Sequence, residues 1–259
     1  MQKNLLIPAI ITSICWISCQ SNSSQQHSAS EDSSAVVTTA TAPSANDSIN
    51  QLSPEEQSGG WSLLFNGQTL DGWRGYQNKP ITAWEAAEGT IHCNGNKKDA
   101  PAVDLITDKE YQNFELSIDW KIAPASNSGI MFHVDEKNDA TYDSGPEYQI
   151  IDDEGWPGKL EDWQHTGCNY AMQVPAHRSV NPVGQWNHTK IVVNNAHVEH
   201  WLNGEKILEY DLWSPEWKKQ KAAGKWKDVA DYGMARTGHI ALQYHGGDVW
   251  FRNIKLKQL

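Results

Sequence analysis

The sequence has few cysteines, a deficit of basic residues and no long apolar run. Its 259 residues include 4 cysteines, and 21 Lys and Arg stand against 32 Asp and Glu, for a formal net charge of −11. Neither a CxxC nor an HExxH pattern occurs, so no motif indicates a structural zinc site. An acidic chain lacks the basic face that nucleic acid binding requires, so we expect a neutral ligand instead.

The N-terminus has the pattern of an export signal. Residues 5–17 are mostly apolar and follow Lys3, and this run is too short to span a membrane. Cys19 comes after a small residue, as in bacterial lipoprotein signals, although Trp16 stands where leucine is usual. An ordinary cleavage site beside a stray cysteine is the alternative. We predict a lipoprotein-type signal peptide over residues 1–19, lipidation of Cys19, and export to the cell envelope, in the periplasm or at the outer membrane.

The next segment has the composition of a linker. Residues 20–59 are rich in Ser, Gln, Asn, Thr and Ala and almost free of aromatic residues. Such a segment cannot bury enough apolar surface to offset the entropy of ordering, so we predict a disordered polar tether. A tether behind a lipidated cysteine would hold a soluble domain off a membrane surface. Residues 60–259 are predicted to form one domain.

Two residue types leave alternatives open. Beyond the signal, Cys93 and Cys168 are either a disulfide pair or two buried free thiols. The 13 tryptophans are either core residues, because burial of an indole is strongly stabilising, or walls of a groove whose flat faces suit sugar rings.

The pattern from residue 60 onward is that of short strands. Apolar and polar residues alternate over 111–122, and most other apolar runs are separated by Gly, Asn, Asp or Pro. This predicts an all-β, two-sheet antiparallel sandwich. The exception is 214–228, where Ser214 and Pro215 have the pattern of a helix N-terminus and predict one short helical excursion.

The last two strands are predicted to form a β-hairpin. Alternation over 240–244 is followed by a Gly-Gly pair at 246–247, and it resumes over 249–256. Gln243 and His245 precede the turn, so an amide and an imidazole would stand at the end of a rigid strand. Such a position suits a functional site.

Six motifs in series, from about Gly60 to the end, resemble the 3-keto-disaccharide hydrolase domain family. They are LFNGQTLDGWRGY (64–76), DLITDKEYQNFELSIDWKI (104–122), NSGIMFHV (127–134), GPEYQIIDDE (145–154), VGQWNHTKIVVNNAHVEHWLNGEKILEYDLWSPEW (183–217) and GHIALQYHGGDVWFRNIKLK (238–257). The resemblance implies a concanavalin-like jelly-roll sandwich on an exported or lipid-anchored bacterial protein. It also implies action on glycosides whose C3 hydroxyl has been oxidised to a ketone.

The chemistry of such a substrate sets what the site must contain. A ketone at C3 acidifies the hydrogen on C2, so a base can form an enolate that expels the C1 substituent, and water can then add. The site needs a base near C2, a donor or cation for the C3 oxyanion, and an acid at the leaving oxygen. Two carboxylates that flank C1 are not required.

Candidate site residues come from several motifs. Glu147 and Gln149 share one face of a predicted strand, and although charged residues on such a face are usually solvated, GPEYQ belongs to the resemblance. The imidazoles of His133, His165 and His245 could converge, since each follows a separate strand or loop, yet a lone histidine is more often an ordinary surface residue. We predict catalytic and substrate-binding residues as follows: His245, His165 and Glu147 as catalytic; His133, Gln149, Asn127, Asp152 and Gln243 as substrate-binding.

Further details qualify this hypothesis. Asn127 to Gly129 is predicted to be a tight turn that precedes a strand. Tyr244 stands where many relatives have Asp, so a carboxylate partner for His245 cannot be carried over. Cys168 near His165 invites a thiolate nucleophile, but elimination needs none. No metal is firmly predicted; a divalent cation is possible, with ligand atoms on Glu147, Asp152, His133 and His165, although no local spacing supports a site.

Three functions follow from these patterns. The leading hypothesis is a lipid-anchored enzyme that cleaves 3-keto-glycosides, with a small carbohydrate substrate and functional coupling to a sugar 3-dehydrogenase. The second is a non-catalytic carbohydrate-binding module, since jelly rolls with exposed tryptophans commonly bind glycans. The third is a structural surface lipoprotein with neither activity.

Overall fold

Two antiparallel sheets packed face to face make up most of the chain. A computed structural model describes residues 49–95, 97 and 99–259. The described strands are β1 (Trp61–Leu63), β2 (Trp73–Gly75), β3 (Trp84–Ala87), β4 (Thr90–Asn94), β5 (Leu105–Thr107), β6 (Phe114–Ile122), β7 (Asn127–Val134), β8 (Glu147–Ile151), β9 (Asn187–Asn194), β10 (His197–Leu202), β11 (Glu205–Asp211), β12 (His239–Leu242) and β13 (Asp248–Gln258). The described helices are α1 (Pro54–Ser58) and α2 (Pro215–Ala223), with 3₁₀ turns at Tyr76–Asn78, Thr141–Asp143 and Asp162–Gln164.

The order of the described strands is that of a jelly-roll sandwich. The larger sheet runs β11-β10-β9-β6-β13-β4-β3, and β1 also pairs with β13. The smaller sheet runs β2-β5-β12-β7-β8. Several neighbouring strands come from distant parts of the chain, such as β12 beside β5 and β7, and β13 beside β6, and these pairings are antiparallel. The predicted all-β antiparallel sandwich is confirmed.

The core follows from the alternation of apolar residues. In β6, Phe114, Leu116, Ile118 and Trp120 are fully buried, while the residues between them are partly exposed. Each such side chain contributes about 1.5–3 kcal/mol by leaving water. Five tryptophans, at positions 73, 84, 120, 217 and 226, are also buried, so the core interpretation holds for these five.

The predicted C-terminal hairpin is wrong. Although the Gly-Gly pair at 246–247 does reverse the chain, β12 pairs with β5 and β7 in the smaller sheet. In contrast, β13 pairs with β1, β4 and β6 in the larger sheet. Both glycines have positive φ, and a Cβ at Gly247 would lie 2.2 Å from Ser126 Oγ. The turn therefore carries the chain from one sheet to the other, because strand periodicity defines a face but does not select a partner.

The predicted helical excursion is confirmed and has a structural role. The Ser214 hydroxyl caps α2 by accepting a hydrogen bond from the Trp217 N–H at 3.1 Å. Beyond α2, the indole of Trp226 stacks on Tyr232 with ring centroids 4.2 Å apart. This packing holds the segment after α2, including Lys225, against the smaller sheet.

The structure differs from the predicted tether at the tether's C-terminal end. Residues 49–59 belong to the folded unit: Asn50 and Asn253 exchange hydrogen bonds of 2.7 and 2.8 Å, and Lys255 pairs with Glu56 of α1 at 2.8 Å. These polar contacts order a segment whose composition is that of a linker. The predicted signal peptide and Cys19 lie outside the described residues, so lipidation and export stay predictions. Within the described chain, no helix combines the length and the apolar character that a membrane crossing requires.

Cys93 and Cys168 are both buried free thiols, which decides between the two alternatives for these cysteines. Burial raises the pKa of Cys168 to about 12, so its thiol stays protonated at neutral pH. Its Sγ–H donates to the carbonyl of Asp162 at 3.4 Å. The thiolate-nucleophile interpretation of Cys168 is therefore not supported, because desolvation by burial outweighs the charge of Arg178, which favours the thiolate.

Candidate functional site

A cavity of about 310 Å³ opens on the outer face of the smaller sheet, above β7 and β8. We call it the inner cavity. Tyr148 and Ile150 of β8 point into the core, so the alternate residues Glu147 and Gln149 point outward into the cavity. The cavity is lined by Asn127, Tyr142, Glu147, Gln149, Tyr170, Lys225, Trp226, Gln243 and His245.

Five of the predicted site residues meet in this cavity: Asn127, Glu147, Gln149, Gln243 and His245. The shared face of Glu147 and Gln149 is confirmed. Gln149 Nε2 donates to Asn127 Oδ1 at 3.3 Å across the β7–β8 ladder, which fixes both amides. His245, on the turn after β12, is exposed at the mouth.

The segment from Asn127 to Gly129 is strand rather than the predicted tight turn. The turn lies earlier, where Ser126 N–H donates to the Ala123 carbonyl at 3.3 Å and Ala125 has a φ of 55°. Gly129 serves a close approach instead: a Cβ at this position would lie 2.2 Å from Glu147 Oε1. Because Gly129 has no side chain, the Glu147 carboxyl group has room to lie against the sheet.

Glu147 is a buried acid without full hydrogen-bond satisfaction. Only 4% of the residue is exposed, and Oε1 has no hydrogen-bond partner among the described residues. Burial raises the pKa of Glu147 to about 8, and the negative charge of Asp104 adds to this effect. Lys225 and the Gln243 side chain oppose it. The carboxyl group is therefore largely protonated at neutral pH and can act as a proton donor.

Asp104, which the sequence analysis did not select, supplies a carboxylate beneath His245. Its Oδ1 accepts a hydrogen bond from the Tyr244 N–H at 2.7 Å, and its Oδ2 accepts one from Thr141. Burial raises the pKa of Asp104, whereas these hydrogen bonds and the charge of His245 lower it. Tyr244 stands where many relatives have Asp. Asp104 nevertheless brings a carboxylate to this position from a different part of the chain.

Lys225 also lines the cavity although the sequence analysis did not select it, as is true of Tyr142, Tyr170 and Trp226. Its ammonium lies 4.4 Å from the ring centroid of Tyr170 and 4.9 Å from that of Trp226, and Nζ donates to Tyr170 Oη at 3.3 Å. It is the one cationic residue among the described residues that line the inner cavity. The Lys-Trp pair after the helical excursion was the available signal, but a surface lysine is common and did not stand out.

His133 does not reach the cavity. It is 1% exposed, its φ is 53°, and its Nε2 lies 2.8 Å from the carbonyl of Gln112. Its ring packs against Phe132 with centroids 5.3 Å apart, and burial lowers its pKa. The expected place of His133 in the site is wrong, because positive φ at this residue breaks the strict alternation of β7.

His165 lies in a second, larger cleft of about 770 Å³ at the end of β8, which we call the outer cleft. Its Nδ1 lies 2.9 Å from Asp153 Oδ1, and Arg178 Nε lies 3.9 Å from Asp153 Oδ2. His165 lines no part of the inner cavity. The prediction that it meets Glu147 and His245 is therefore wrong.

Asp152 also lines the outer cleft, but its carboxylate is engaged with the backbone. It accepts hydrogen bonds from the N–H groups of Ala125 at 2.8 Å, Gly155 at 2.7 Å and Glu154 at 3.3 Å. The carboxylate of Asp152 thus connects two turns, and its position is explained without a contact to substrate.

Replacing Asp152 with Ala should therefore lower stability rather than remove a substrate contact. Loss of the acceptor leaves backbone donors unpaired, and we expect the free energy of unfolding to fall by about 2 kcal/mol. Chemical denaturation of Asp152→Ala beside Asp152→Asn, which keeps one acceptor oxygen, measures the loss. A variant of full stability with impaired substrate binding would contradict the structural role.

The four possible metal ligands do not form one site: Glu147 lines the inner cavity, His133 is buried, and Asp152 and His165 line the outer cleft. Among the described residues, one group of three has ligand atoms within 4.8 Å of one another: His197, Glu199 and Glu209 on β10 and β11. Lys206 Nζ already pairs with Glu199 at 3.3 Å and with Glu209 at 2.5 Å. The charges of these residues neutralise one another on β10 and β11, away from the inner cavity and the outer cleft.

Comparison with known proteins gives consistent matches. The family model described as the 3-keto-alpha-glucoside-1,2-lyase-like domain matches residues 60–257. A 3-keto-disaccharide hydrolase from Bacteroides thetaiotaomicron is 34% identical over 229 residues, which cover 77% of this chain and 79% of the relative.

Two solved structures from Parabacteroides distasonis, both described as candidate glycosyl hydrolases, are also similar. One is 41% identical with a TM-score of 0.78, and the match covers 82% of this chain and 100% of that one. The other is 29% identical with a TM-score of 0.60, with coverage of 77% and 99%. The chain therefore belongs to the 3-keto-alpha-glucoside-1,2-lyase-like domain family.

Proposed function

We propose that this protein is a carbohydrate-active hydrolase that cleaves glycosides of a 3-keto sugar by proton abstraction, elimination and hydration. One observation carries the proposal: a single protonated carboxyl group, Glu147, shares the inner cavity with an imidazole and an ammonium. The curated relative named 3-keto-disaccharide hydrolase supports the substrate class. A sugar 3-dehydrogenase is the class of enzyme that must supply such a substrate.

The carboxylate count argues against an ordinary glycosidase mechanism. Retaining and inverting glycosidases generally use two carboxyl groups on either side of the scissile bond. Among the described residues that line the inner cavity, Glu147 is the one carboxyl group. Asp104, the nearby carboxylate, is held by Tyr244 N–H and Thr141 instead. The arrangement suits elimination, which needs a base, an acid and an electrostatic partner for the oxyanion.

Each requirement has a residue in the cavity. His245 removes the proton from C2, and the electron pair moves to the C3 oxygen, whose developing charge faces the Lys225 ammonium. As the C3 carbonyl re-forms, a double bond forms between C1 and C2, the C1–O bond breaks, and Glu147 donates its proton to the leaving oxygen. The partly exposed ring of Tyr170, backed by the buried Trp226, provides an apolar wall for the sugar ring.

Hydration reverses the proton movements. Water attacks C1 while the Glu147 carboxylate takes its proton, the electrons of the double bond move toward the C3 carbonyl, and protonated His245 returns a proton to C2. The carbonyl re-forms, and the net result is hydrolysis with both residues restored. The pKa of about 8 for Glu147 suits a group that must alternate between acid and base near neutral pH.

The direct test compares oxidised and unoxidised sugars. Purified protein is incubated with 3-keto-trehalose, 3-keto-sucrose and the parent disaccharides, and release of 3-keto-glucose is followed. We expect release from the keto sugars alone. The same cavity in a non-catalytic binding module would bind unoxidised glycans, give no product, and keep this binding in His245→Ala, which would overturn the proposal.

Lys225 provides a second test of the mechanism. Because Lys225→Met removes the charge that faces the developing oxyanion, we expect kcat to fall about 100-fold with a smaller change in KM. Lys225→Arg, which keeps a cation, should retain more activity, and Lys219→Met on exposed α2 is the control for loss of a surface charge. Equal activity of Lys225→Met and wild type would remove Lys225 from the mechanism.

A further inference from the structure

The outer cleft is a second cavity for which the mechanism has no use. It has about 770 Å³, more than twice the volume of the inner cavity, and both lie within the usual range for ligand sites. It lies between the end of β8 and the loop that contains Arg178 and Gln185. A polar cleft of this size next to a catalytic cavity calls for an occupant.

The two cavities adjoin each other along β8. Gln149 lines the inner cavity, and Ile151, two residues further on the same face, lines the outer cleft. Asn127 of the inner cavity is the cross-strand partner of Ile151. At the next turn, the ring of Trp156 lies against that of His245 with centroids 6.3 Å apart. The chain from the end of β8 onward thus lines the outer cleft with residues 151–155 and contacts His245 of the inner cavity through Trp156.

The charged groups of the outer cleft are mostly acidic: Asp152, Asp153 and Glu154 stand against Arg178 and the imidazole of His165. Asp153 accepts hydrogen bonds from the ring of His165 at 2.9 Å and from Thr166 N–H at 3.1 Å, and its other oxygen faces Arg178. His165 Nε2 makes no hydrogen bond to any described residue, so it is free for a ligand. Carboxylates accept hydrogen bonds from hydroxyl groups and repel anions, so the cleft suits a neutral ligand with many hydroxyl groups.

The remaining lining supports the same class of ligand. The amides of Gln185 and Asn181 are exposed and can donate to and accept from hydroxyl groups. Val180 and Pro182 offer small apolar surfaces that match the C–H faces of sugars. Among the described lining residues the one aromatic side chain, Trp120, is fully buried, so the cleft offers no exposed ring on which a planar aglycone could stack.

We propose that the outer cleft binds the leaving group of the substrate and that this leaving group is an oligosaccharide of at least two sugar units. The inference rests on the proposed function, which places the 3-keto ring between Glu147 and His245. A substituent on C1 of that ring extends along β8 into the outer cleft. The volume there exceeds what a single unit fills, since the inner cavity already suffices for one ring.

The test measures how cleavage depends on the length of the leaving group. Nitrophenyl 3-keto-glucoside, a 3-keto-disaccharide and a trisaccharide oxidised at C3 of its non-reducing ring are compared by kcat/KM. We expect the trisaccharide to exceed the disaccharide at least tenfold, chiefly through a lower KM. In Arg178→Ala, and separately in Gln185→Ala at an exposed position, this ratio should fall toward one.

A matched control and the distinct outcomes complete the test. Lys109→Ala removes one exposed positive charge at a residue that lines neither cavity and should keep the wild-type ratio. Cleavage of all three substrates without a length effect, or with a length effect that survives in both cleft variants, overturns the inference alone. Failure to cleave any of them overturns the proposed function, and the inference with it.

Discussion

Replacing Glu147 with Gln should abolish cleavage and at the same time stabilise the folded protein above pH 5. Gln keeps the shape of the side chain but cannot donate a proton to the leaving oxygen. General acid catalysis typically contributes 10²- to 10⁴-fold, so we expect kcat to fall by about that factor. The fall of wild-type activity as pH rises through about 8, where Glu147 loses its proton, should disappear with the substitution.

The stabilisation follows from the same raised pKa. The unfolded chain releases the Glu147 proton near the ordinary value of 4.5, whereas the folded protein keeps it until about pH 8. The unfolded state thus binds fewer protons between these values, and wild-type stability falls as pH rises through this window. At pH 7 the loss is on the order of 3 kcal/mol. Gln does not ionise in either state and avoids this loss.

Denaturant unfolding of wild type and Glu147→Gln at pH 4, 6 and 8 measures the effect. The difference in free energy of unfolding should grow with pH in favour of the variant. Glu115→Gln on the outer face of β6, where the side chain is partly exposed, serves as the control and should show no such growth. A difference that does not change with pH would mean that the Glu147 carboxyl is ionised in the folded protein.

Replacing Gly129 with Ala should impair activity by displacing Glu147, although the substitution leaves every proposed catalytic side chain chemically unchanged. The new methyl group would lie 2.2 Å from Oε1 and 2.8 Å from Cγ of Glu147, far inside contact distance. The strand backbone is held by pairing with β8 and β12, so the carboxyl group must move. Because a displacement of about 1 Å can cost 10²-fold in rate, we expect a loss of about that size in kcat.

A matched substitution separates this effect from a general penalty for adding a methyl group. Gly59→Ala lies after α1, away from the cavity, and its Cβ would meet no atom closer than 3.0 Å. It should keep wild-type activity. A crystal structure of Gly129→Ala should show the carboxyl group rotated out of its place, and normal activity with an unmoved Glu147 would refute the packing account.

The sequence predicts faces better than neighbours. Alternation correctly placed Glu147 and Gln149 on one face, because the two-residue period of a strand is a local property. The same reasoning paired β12 with β13, and the error arose because both strands find better partners far away in the chain. The predicted tether extended too far into the folded unit, because Asn50 and Glu56 are ordered by contacts with β13, which lies far away in the sequence.

The site was predictable only in part. Glu147, Gln149, Asn127, Gln243 and His245 were found because their motifs belong to the family resemblance and their strands adjoin one another. Lys225 lines the cavity through packing after α2, and Asp104 reaches the backbone of Tyr244 from the segment before β5; no local pattern encodes either position. His133 and His165 were selected for their residue type alone, and the backbone directs the former into the core and the latter to another cleft.

The passage of the chain between sheets at Gly246 and Gly247 also bears on how the protein matures. The turn that carries His245 is held between β12 and β13, and β13 occupies an interior position of the larger sheet. The pairings of β13 with β4 and β6 join residues more than a hundred positions apart. Such non-local pairing is slow to form. The site around His245 is therefore expected to form late in folding. Recovery of activity should report this final step rather than the initial hydrophobic collapse.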